Sequence, residues 1–381
     1  MIYLIGVIVL IIVSGFLFSE RPAGPLHYIP VNHERSPQIP KGYKGTPADR
    51  KNRFIFEEAP FYQNFLKVLA WMPSHLWSIG FRRSKQLPVH KITSTHFLHG
   101  EDCLIWLGHA SFFIRLNGKN VLIDPHFYDI YSYKRKTENP IAPGLFKGID
   151  FLLLSHDHAD HFDPRSVSLL VKNNPGMEIL TGKNMRKMIH AETSLQPKVQ
   201  EALWYERYEI RKNNQNNPTL DLPNAETEKS LTGDFNLQDP NSIEITFLPN
   251  RHYSKRIFYP FNSTLWGGFM IVTSSIKIYY SGDSGYAGHF KTIGELFKPD
   301  LFIVGTGAYK PRWFMKDNHM DAKDAAQAFK DTGASKMLPM HFGTFMLGNE
   351  TIQEAEEALE EMGVDYLKPE VGRIFRIKNL K

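Results

Sequence analysis

The chain has 381 residues, of which 42% are hydrophobic and 22% charged, and its formal net charge is +5. This composition excludes a disordered chain, and the absence of a Lys/Arg block argues against a nucleic-acid partner, whereas the mild basic excess suits an anionic surface. The single cysteine, Cys103, excludes an intramolecular disulfide, and its position in the apolar run CLIWL predicts a core residue.

The first stretch, residues 2–18, contains no charged side chain. As a helix it would extend about 25 Å, which is the short end of the range for crossing a bilayer. We interpret residues 1–20 as a membrane anchor, with a cleaved signal peptide or a buried helix as alternatives. Arg21 and Arg35 follow the stretch and no basic residue precedes it, which favours a cytoplasmic body over a periplasmic or secreted one.

Residues 21–95 are interpreted as a linker followed by an amphipathic region. The part up to residue 53 is rich in Pro and Gly and predicts an extended wrap. Residues 54–83 alternate aromatic and Leu side chains with few charges, which is typical of a helix at a membrane interface. A helical flap packed on the main domain is the equal alternative. Either way, we expect one further domain, 96–381.

Short strand and helix patterns alternate from residue 96 onward. The sequence predicts strands at CLIWL, SFFIRL, NVLID, FLLLS, EILTG, IEITFLP, LWGGFMIVT, IKIYYSG and LFIVG, and helices near 164–173, 183–190, 287–297, 321–332 and 350–362. This order favours an α/β fold in which two mixed sheets pack together with helices outside. The polar stretch 211–242 interrupts the pattern and predicts a long loop.

The run SHDHADH (155–161) follows the buried strand FLLLS. Imidazole and carboxylate groups are the ligands of borderline cations such as Zn²⁺. The run supplies four candidates, which is more than one tetrahedral ion can use while an open position remains. We therefore expect two metal ions that share this loop, with ligands His156, His158, Asp160 and His161.

Three more candidates each follow an apolar strand: His252 in NRHYSKR, Asp283 in SGDSGY and His341 in MHFGTF. We expect His252 to complete one site with His156 and His158. His341 would complete the other site with Asp160 and His161, and the Asp283 carboxylate would bridge the two ions. The expected cofactor is therefore Zn²⁺, two ions per chain.

The H-x-H-x-D-H run and the later His, Asp and His resemble the metallo-β-lactamase superfamily, which implies an αβ/βα sandwich with two zinc ions at one sheet edge. The stretches WLGHASFFIRLNGKNVLIDPHF, RHYSKR, LWGGFMI, SGDSGY, GAYKPRWFMKDNHMDAKDA and MHFGTF resemble the N-acylphosphatidylethanolamine-hydrolysing phospholipase D family. That resemblance covers about residues 96–377. It does not include the apolar N-terminal helix, and the polar insert departs from it.

Five further residues are candidates for the site. Asp124, at the end of NVLID, would orient a ligand histidine, with a turn-capping role as the alternative. The resemblance implies a functional histidine at His319, as a substrate contact or a catalytic acid. His109, Tyr309 and Arg312 would line the substrate site, and Arg312 could instead fix its own loop.

Phosphodiester chemistry suits this set, because paired metals bind phosphoryl oxygens and neutralise charge in the transition state. The resemblance then implies a zinc-dependent phospholipase D that converts N-acylphosphatidylethanolamine to N-acylethanolamine and phosphatidic acid. Catalysis would rest on Asp160, Asp283 and His319, and the partners would be a phospholipid and a membrane surface. The alternatives are a lactonase or soluble phosphodiesterase, and a non-catalytic membrane-tethered scaffold that binds metal.

Overall fold

The computed structural model describes residues 23–62, 65–82, 84–210 and 242–380. The apolar stretch 2–18 lies outside the described residues, as does the polar insert except for its last residue, Ser242. The expectations for both therefore stay predictions. Within the described ranges, no helix has both the length and the apolar character needed to cross a membrane.

The described residues form three sheets. In chain order the strands are β1 (His27–Ile29), β2 (Thr46–Ala48), β3 (Cys103–Gly108), β4 (Ser111–Leu116), β5 (Lys119–Ile123), β6 (Phe151–Leu154), β7 (Glu178–Gly182), β8 (Lys198–Ala202), β9 (Glu244–Leu248), β10 (Gly268–Val272), β11 (Lys277–Tyr280), β12 (Leu301–Gly305), β13 (Lys336–Met340) and β14 (Ile374–Arg376). The two main sheets have the orders β14-β3-β4-β5-β6-β7-β8 and β13-β12-β11-β10-β9, and β1 pairs with β2.

The helices connect and flank these strands. In chain order they are α1 (Phe65–Phe81), α2 (Pro164–Asn173), α3 (Met185–Thr193), α4 (His289–Phe297), α5 (Arg312–Met315), α6 (Ala322–Thr332) and α7 (Ile352–Glu360). The helices expected near 164–173, 183–190, 287–297, 321–332 and 350–362 are all present. The predicted α/β architecture of two mixed sheets is confirmed.

Alternation along the central strands divides the core into two layers. Trp106 and Phe112 belong to the cluster between the sheets, which also contains Phe269 of β10. Their neighbours Ile105 and Phe113 belong to the outer cluster, where α2 and α3 pack. Since successive side chains of a strand face opposite sides, a strand that is buried on both faces must be apolar throughout.

Strand direction brings the carboxyl ends to one edge of each sheet. Strands β5 to β8 run parallel, and so do β11 to β13. Two antiparallel pairings, β9 with β10 and β10 with β11, give β9 the same direction as β11. The residues that follow β6, β9, β11 and β13 therefore meet along the same side of the sandwich.

The polar insert connects the two sheets at their edges, since β8 and β9 are both edge strands. The described chain stops at residue 210 and resumes at Ser242, and the segments on the two sides of this gap are paired. There the Tyr208 backbone N–H donates to the Ile245 carbonyl at 2.9 Å, and Arg207 forms an isolated bridge with Thr246. The described residues that flank the insert are thus fixed beside each other.

Helix α1 buries two polar side chains against the protein and leaves several large apolar side chains exposed to solvent. His75 and Ser78 are buried, and the two ring nitrogens of His75 lie 3.1 Å from the Asn349 side chain and 3.0 Å from the Tyr133 hydroxyl. Trp77 and Phe81, one turn apart, are 58% and 74% exposed. Hydrogen bonds and the stacking of Trp71 on Phe314 therefore hold the helix, while Trp77 and Phe81 remain uncovered.

Candidate metal centre

The SHDHADH loop lies between the end of β6 and α2. Asp163 caps α2 by accepting a hydrogen bond from the Ser166 backbone N–H at 3.1 Å, so the helix begins directly after the loop. Asp157 fastens the loop to the other sheet by accepting bonds from the Lys255 backbone N–H at 2.9 Å and the Thr264 hydroxyl at 3.0 Å. The loop is therefore fixed at both sheets.

The first group of candidate ligands is His156, His158 and His252. Nε2 of His156 and Nε2 of His252 lie 2.9 and 3.1 Å from Nδ1 of His158, and the ligand atoms of the group lie within 4.8 Å of one another. Burial lowers the pKa of all three rings, that of His158 to about 4, which favours their neutral, ligating form.

The second group contains His109, Asp160, His161 and His341. The Asp160 carboxylate lies 2.9 Å from Nε2 of His109, 3.3 Å from Nε2 of His341 and 3.4 Å from Nε2 of His161. Burial opposes a charged ring, yet the Asp283 and Asp160 carboxylates together outweigh it and raise the pKa of His341 to about 9. The negative charge that attracts a proton here would equally attract a cation.

Asp283 lies between the two groups. One carboxylate oxygen lies 3.2 Å from Nε2 of His161 and 3.9 Å from Nε2 of His252, and the other lies 3.1 Å from Nε2 of His341. The structure thus brings all seven predicted ligands together, with Asp283 in the position of a bridge. Its side chain is 2% exposed.

The arrangement of these side chains suits a bound metal pair better than it suits hydrogen bonds within the cluster. Neutral imidazoles in the first group face each other nitrogen to nitrogen, and at most one member of each facing pair can donate a hydrogen bond. Among the described residues, the Asp283 carboxylate oxygen nearest to His341 is buried and has no hydrogen-bond partner. Buried polar atoms of this kind are costly unless a cation or solvent satisfies them.

Asp124 supports the centre from behind. Its carboxylate accepts hydrogen bonds from the Ser155 backbone N–H and from the Tyr280 hydroxyl, both at 2.8 Å, and lies 2.8 Å from Nδ1 of His161. This contact fixes the ring so that Nε2 of His161 faces the ligand cluster. The arrangement agrees with the expected orienting role and joins the ends of β5, β6 and β11.

His109 was expected to contact substrate, but the structure places it behind Asp160. The residue is buried, its ring stacks near His341 with centroids 4.1 Å apart, and its backbone N–H donates to the Thr344 hydroxyl at 2.7 Å. These contacts position Asp160 and the loop of His341. A direct contact between His109 and substrate stays a prediction.

His319 lies beside the cluster. Its ring stacks with that of His341 at 5.3 Å, and its Nδ1 lies 3.7 Å from the Asp283 carboxylate. Arg312 holds this position, because its guanidinium donates to the His319 carbonyl at 2.9 Å and pairs with Asp321 and Asp324. Of the two roles open for Arg312, the geometry favours fixing the loop.

Tyr309 packs against α7. Its hydroxyl lies 3.4 Å from the Glu354 carbonyl oxygen, and the residue is buried. Substrate contact by Tyr309 stays a prediction. No sequence pattern indicated Tyr280, Ser155 or Asp157 as supporting residues, because each occupies a position that an ordinary strand or turn residue could fill.

Ligating histidines and carboxylates at the carboxyl edge of a layered α/β sandwich define a metal-dependent hydrolase. The sequence matches the model of the β-lactamase superfamily domain over residues 119–342. The chain therefore belongs to the metallo-β-lactamase superfamily, as the H-x-H-x-D-H resemblance indicated.

Two individual relatives and one solved structure are similar to this chain. The chain is 30% identical over 287 residues to N-acyl-phosphatidylethanolamine-hydrolyzing phospholipase D 1 of Caenorhabditis elegans, covering 72% of this chain and 74% of that protein. It is 23% identical over 258 residues to a UPF0173 metal-dependent hydrolase of Aeropyrum pernix, covering 68% and 89%. A possible metal-dependent hydrolase of Veillonella parvula shares the fold, with TM-score 0.53, 14% identity and coverage of 73% and 100%.

Proposed function

We propose that this protein is a zinc-dependent phosphodiesterase of phospholipase D type that hydrolyses N-acylphosphatidylethanolamine-like glycerophospholipids. The products would be N-acylethanolamine and phosphatidic acid. The main support is the placement of His319 beside Asp283, which lies between the two histidine groups, in a chain similar to a relative with that named activity.

The proposed chemistry breaks the phosphorus–oxygen bond on the ethanolamine side. Two bound zinc ions would supply charge neutralisation at the phosphoryl oxygens and a water-derived nucleophile at neutral pH. His156, His158 and His252 would hold one ion, and Asp160, His161 and His341 the other, with Asp283 between them.

The oxygen of the N-acylethanolamine leaving group needs a proton or a hydrogen bond as its bond to phosphorus breaks. Burial lowers the pKa of His319 to about 4, so its ring is neutral at neutral pH. A neutral ring can donate a hydrogen bond to the leaving group, and this role is favoured over that of a general acid. Arg312 would keep the ring in place through the His319 carbonyl.

A membrane surface is the proposed partner. Trp77 and Phe81 of α1, Trp313 of α5 and Phe258 are exposed, and Phe258 is 92% exposed. Large exposed apolar side chains favour binding to an apolar partner, and the net charge of +5 suits anionic lipid. Membrane association through residues 1–20, with a cytoplasmic catalytic body, completes the proposal.

Hydrolysis in ¹⁸O-water tests the reaction class. We expect the label in phosphatidic acid and none in the released N-acylethanolamine, because the nucleophile joins phosphorus. Asp283→Asn should abolish the labelled product, whereas Asp365→Asn, at an exposed carboxylate, is the matched control. Label in a fatty acid, or turnover of lactones alone, would reject the proposed reaction in favour of an esterase or lactonase.

A further inference from the structure

A cavity of about 440 Å³ adjoins the metal centre on the far side of His341. It lies between the C-terminal end of α1 and the loop that connects β13 to α7. Ile79 of α1 lines it from one side, and Phe345, Met346 and Leu347 line it from the loop. Its volume falls in the range of about 300–1,000 Å³ that small-molecule sites occupy.

The lining combines apolar side chains with positive charge. Arg82, Lys85 and Lys136 contribute cationic groups, and Glu350 contributes a carboxyl group. Burial raises the pKa of Glu350, and its carboxyl accepts the Lys310 backbone N–H at 3.1 Å. The cavity therefore suits a molecule with an apolar chain and an anionic group.

Lys136 is the cation least compensated by the protein. Arg82 pairs with Glu354 and Lys85 with Glu356, both on α7. In the described part of the chain, no carboxylate lies within ion-pair distance of the Lys136 ammonium, whereas Lys134 pairs with Asp129. The Lys136 backbone N–H donates to the Thr344 carbonyl at 2.8 Å, which ties this lysine to the loop that lines the cavity.

Neighbouring contacts make this position rigid. The Arg135 guanidinium donates to the carbonyls of Leu107 at 2.8 Å and His126 at 2.6 Å. Because Leu107 lies two residues before His109, the Arg135–Lys136 segment is anchored to the same strand end that supports Asp160. The Lys136 backbone therefore has a fixed position relative to the metal centre.

We propose that this cavity binds one acyl chain of the diacylglycerol phosphate half of the substrate, with Lys136 attracting the phosphate toward the metal centre. This inference rests on the proposed function, since it assigns the half of the phospholipid that becomes phosphatidic acid. Lys136 and Leu347 are then specificity-determining residues, selecting an anionic diacyl lipid over a small phosphodiester.

Kinetics with short-chain lipids test the acyl site without a membrane. N-acylphosphatidylethanolamines with two butanoyl or two hexanoyl glycerol chains, used below their aggregation limits, differ by two methylenes per chain. Burial of one chain predicts a KM about fifteenfold lower for the hexanoyl substrate, since each of the two added methylenes contributes about fourfold in affinity. Leu347→Trp should remove this preference, whereas Ile374→Trp, an exposed position outside the cavity, should keep it.

Direct binding tests the charge. Calorimetry with the metal-loaded full chain should show dihexanoyl phosphatidic acid binding at least fivefold more weakly to Lys136→Gln than to the unaltered protein. Lys134→Gln, two residues away, should leave binding unchanged. Inorganic phosphate, as a second probe, should show less than half of the Lys136→Gln effect, because it lacks the chain that directs it to the cavity.

The outcomes separate the two proposals. If no N-acylphosphatidylethanolamine is hydrolysed but phosphatidic acid binds with the predicted Lys136 and Leu347 dependence, the proposed reaction fails and the lipid site stands. If hydrolysis occurs without any chain-length preference, or if Leu347→Trp and Ile374→Trp behave alike, the acyl site is overturned. Equal weakening of phosphatidic acid and inorganic phosphate by Lys136→Gln would also overturn it.

Discussion

The metal centre and helix α1 reverse the usual distribution of polarity in opposite ways. The centre buries histidines and carboxylates, with His161 and Asp283 at most 2% exposed, whereas α1 exposes Trp77 and Phe81. Burying unsatisfied polar groups and exposing large apolar ones are both unfavourable in isolation. The buried centre suits a bound cation, and for the exposed side chains of α1 we propose a lipid partner.

The largest effect is expected where one residue serves the whole centre. Asp283→Asn should lower turnover by more than about 10³-fold, because loss of the shared carboxylate weakens both cation sites. Metal analysis should find close to two ions, mostly zinc, per unaltered chain and clearly fewer in the variant. His156→Ala should likewise remove most activity.

Asp365→Asn provides the matched control, since its exposed carboxylate pairs only loosely with Lys336, at 3.8 Å. If the unaltered protein folds fully but carries only trace metal, the buried centre does not depend on a cation. The contrast with α1 then fails.

An intermediate effect is expected at His319. His319→Ala should lower turnover of the natural lipid by about 10²-fold, and by less on a phosphodiester with a p-nitrophenol leaving group, because a good leaving group needs no help. Arg312→Gln should give a smaller loss with the same dependence on the leaving group, since it acts through the His319 carbonyl.

Steady-state kinetics on both substrates decide this point. Equal losses on the two would mean that His319 positions the phosphate. A loss in Arg312→Gln that does not depend on the leaving group would assign Arg312 a role in stability alone.

The smallest effect on chemistry is expected at α1. Trp77→Glu combined with Phe81→Glu should weaken binding to anionic vesicles by about 2–3 kcal/mol, because two large apolar side chains no longer enter the lipid. Turnover of a water-soluble phosphodiester should be nearly unaffected. Vesicle sedimentation measures the first quantity.

Deletion of residues 1–20 should weaken membrane binding and leave a residual part that the α1 double variant removes. Ile374→Glu serves as the control for an added charge at an exposed apolar position. If the truncated chain shows no affinity for anionic vesicles, the lipid interpretation of α1 is wrong.

Much of the centre could be predicted because it depends on strand ends. A buried strand followed by polar residues places them at a sheet edge, and parallel strands bring several such ends together. This reasoning located Asp283 after β11 and His341 after β13. The turn between β4 and β5 was equally predictable, because an Asn-Gly pair is typical of a two-residue hairpin. Both Asn117 and Gly118 adopt the positive φ that such a turn requires.

The supporting contacts could not be predicted in the same way. Tyr280 reaches Asp124 from inside a buried strand, where its sequence context is that of an ordinary core aromatic. His109 turns back toward Asp160 because its backbone adopts a φ of 52° after β3, and no sequence pattern specifies this conformation. Such contacts depend on how two sheets are placed, which local propensity does not determine.

The connection between β8 and β9 is a position where we expect the protein to tolerate changes in chain length. Because Tyr208 and Ile245 are already hydrogen-bonded there, the ends of the crossing stay together whatever length of chain lies between them. Doubling such a loop costs only about 0.6 kcal/mol in closure entropy. A fluorescent or affinity domain could be inserted at this crossing with the catalytic framework unaltered, and natural variation in length can accumulate there without moving a single ligand.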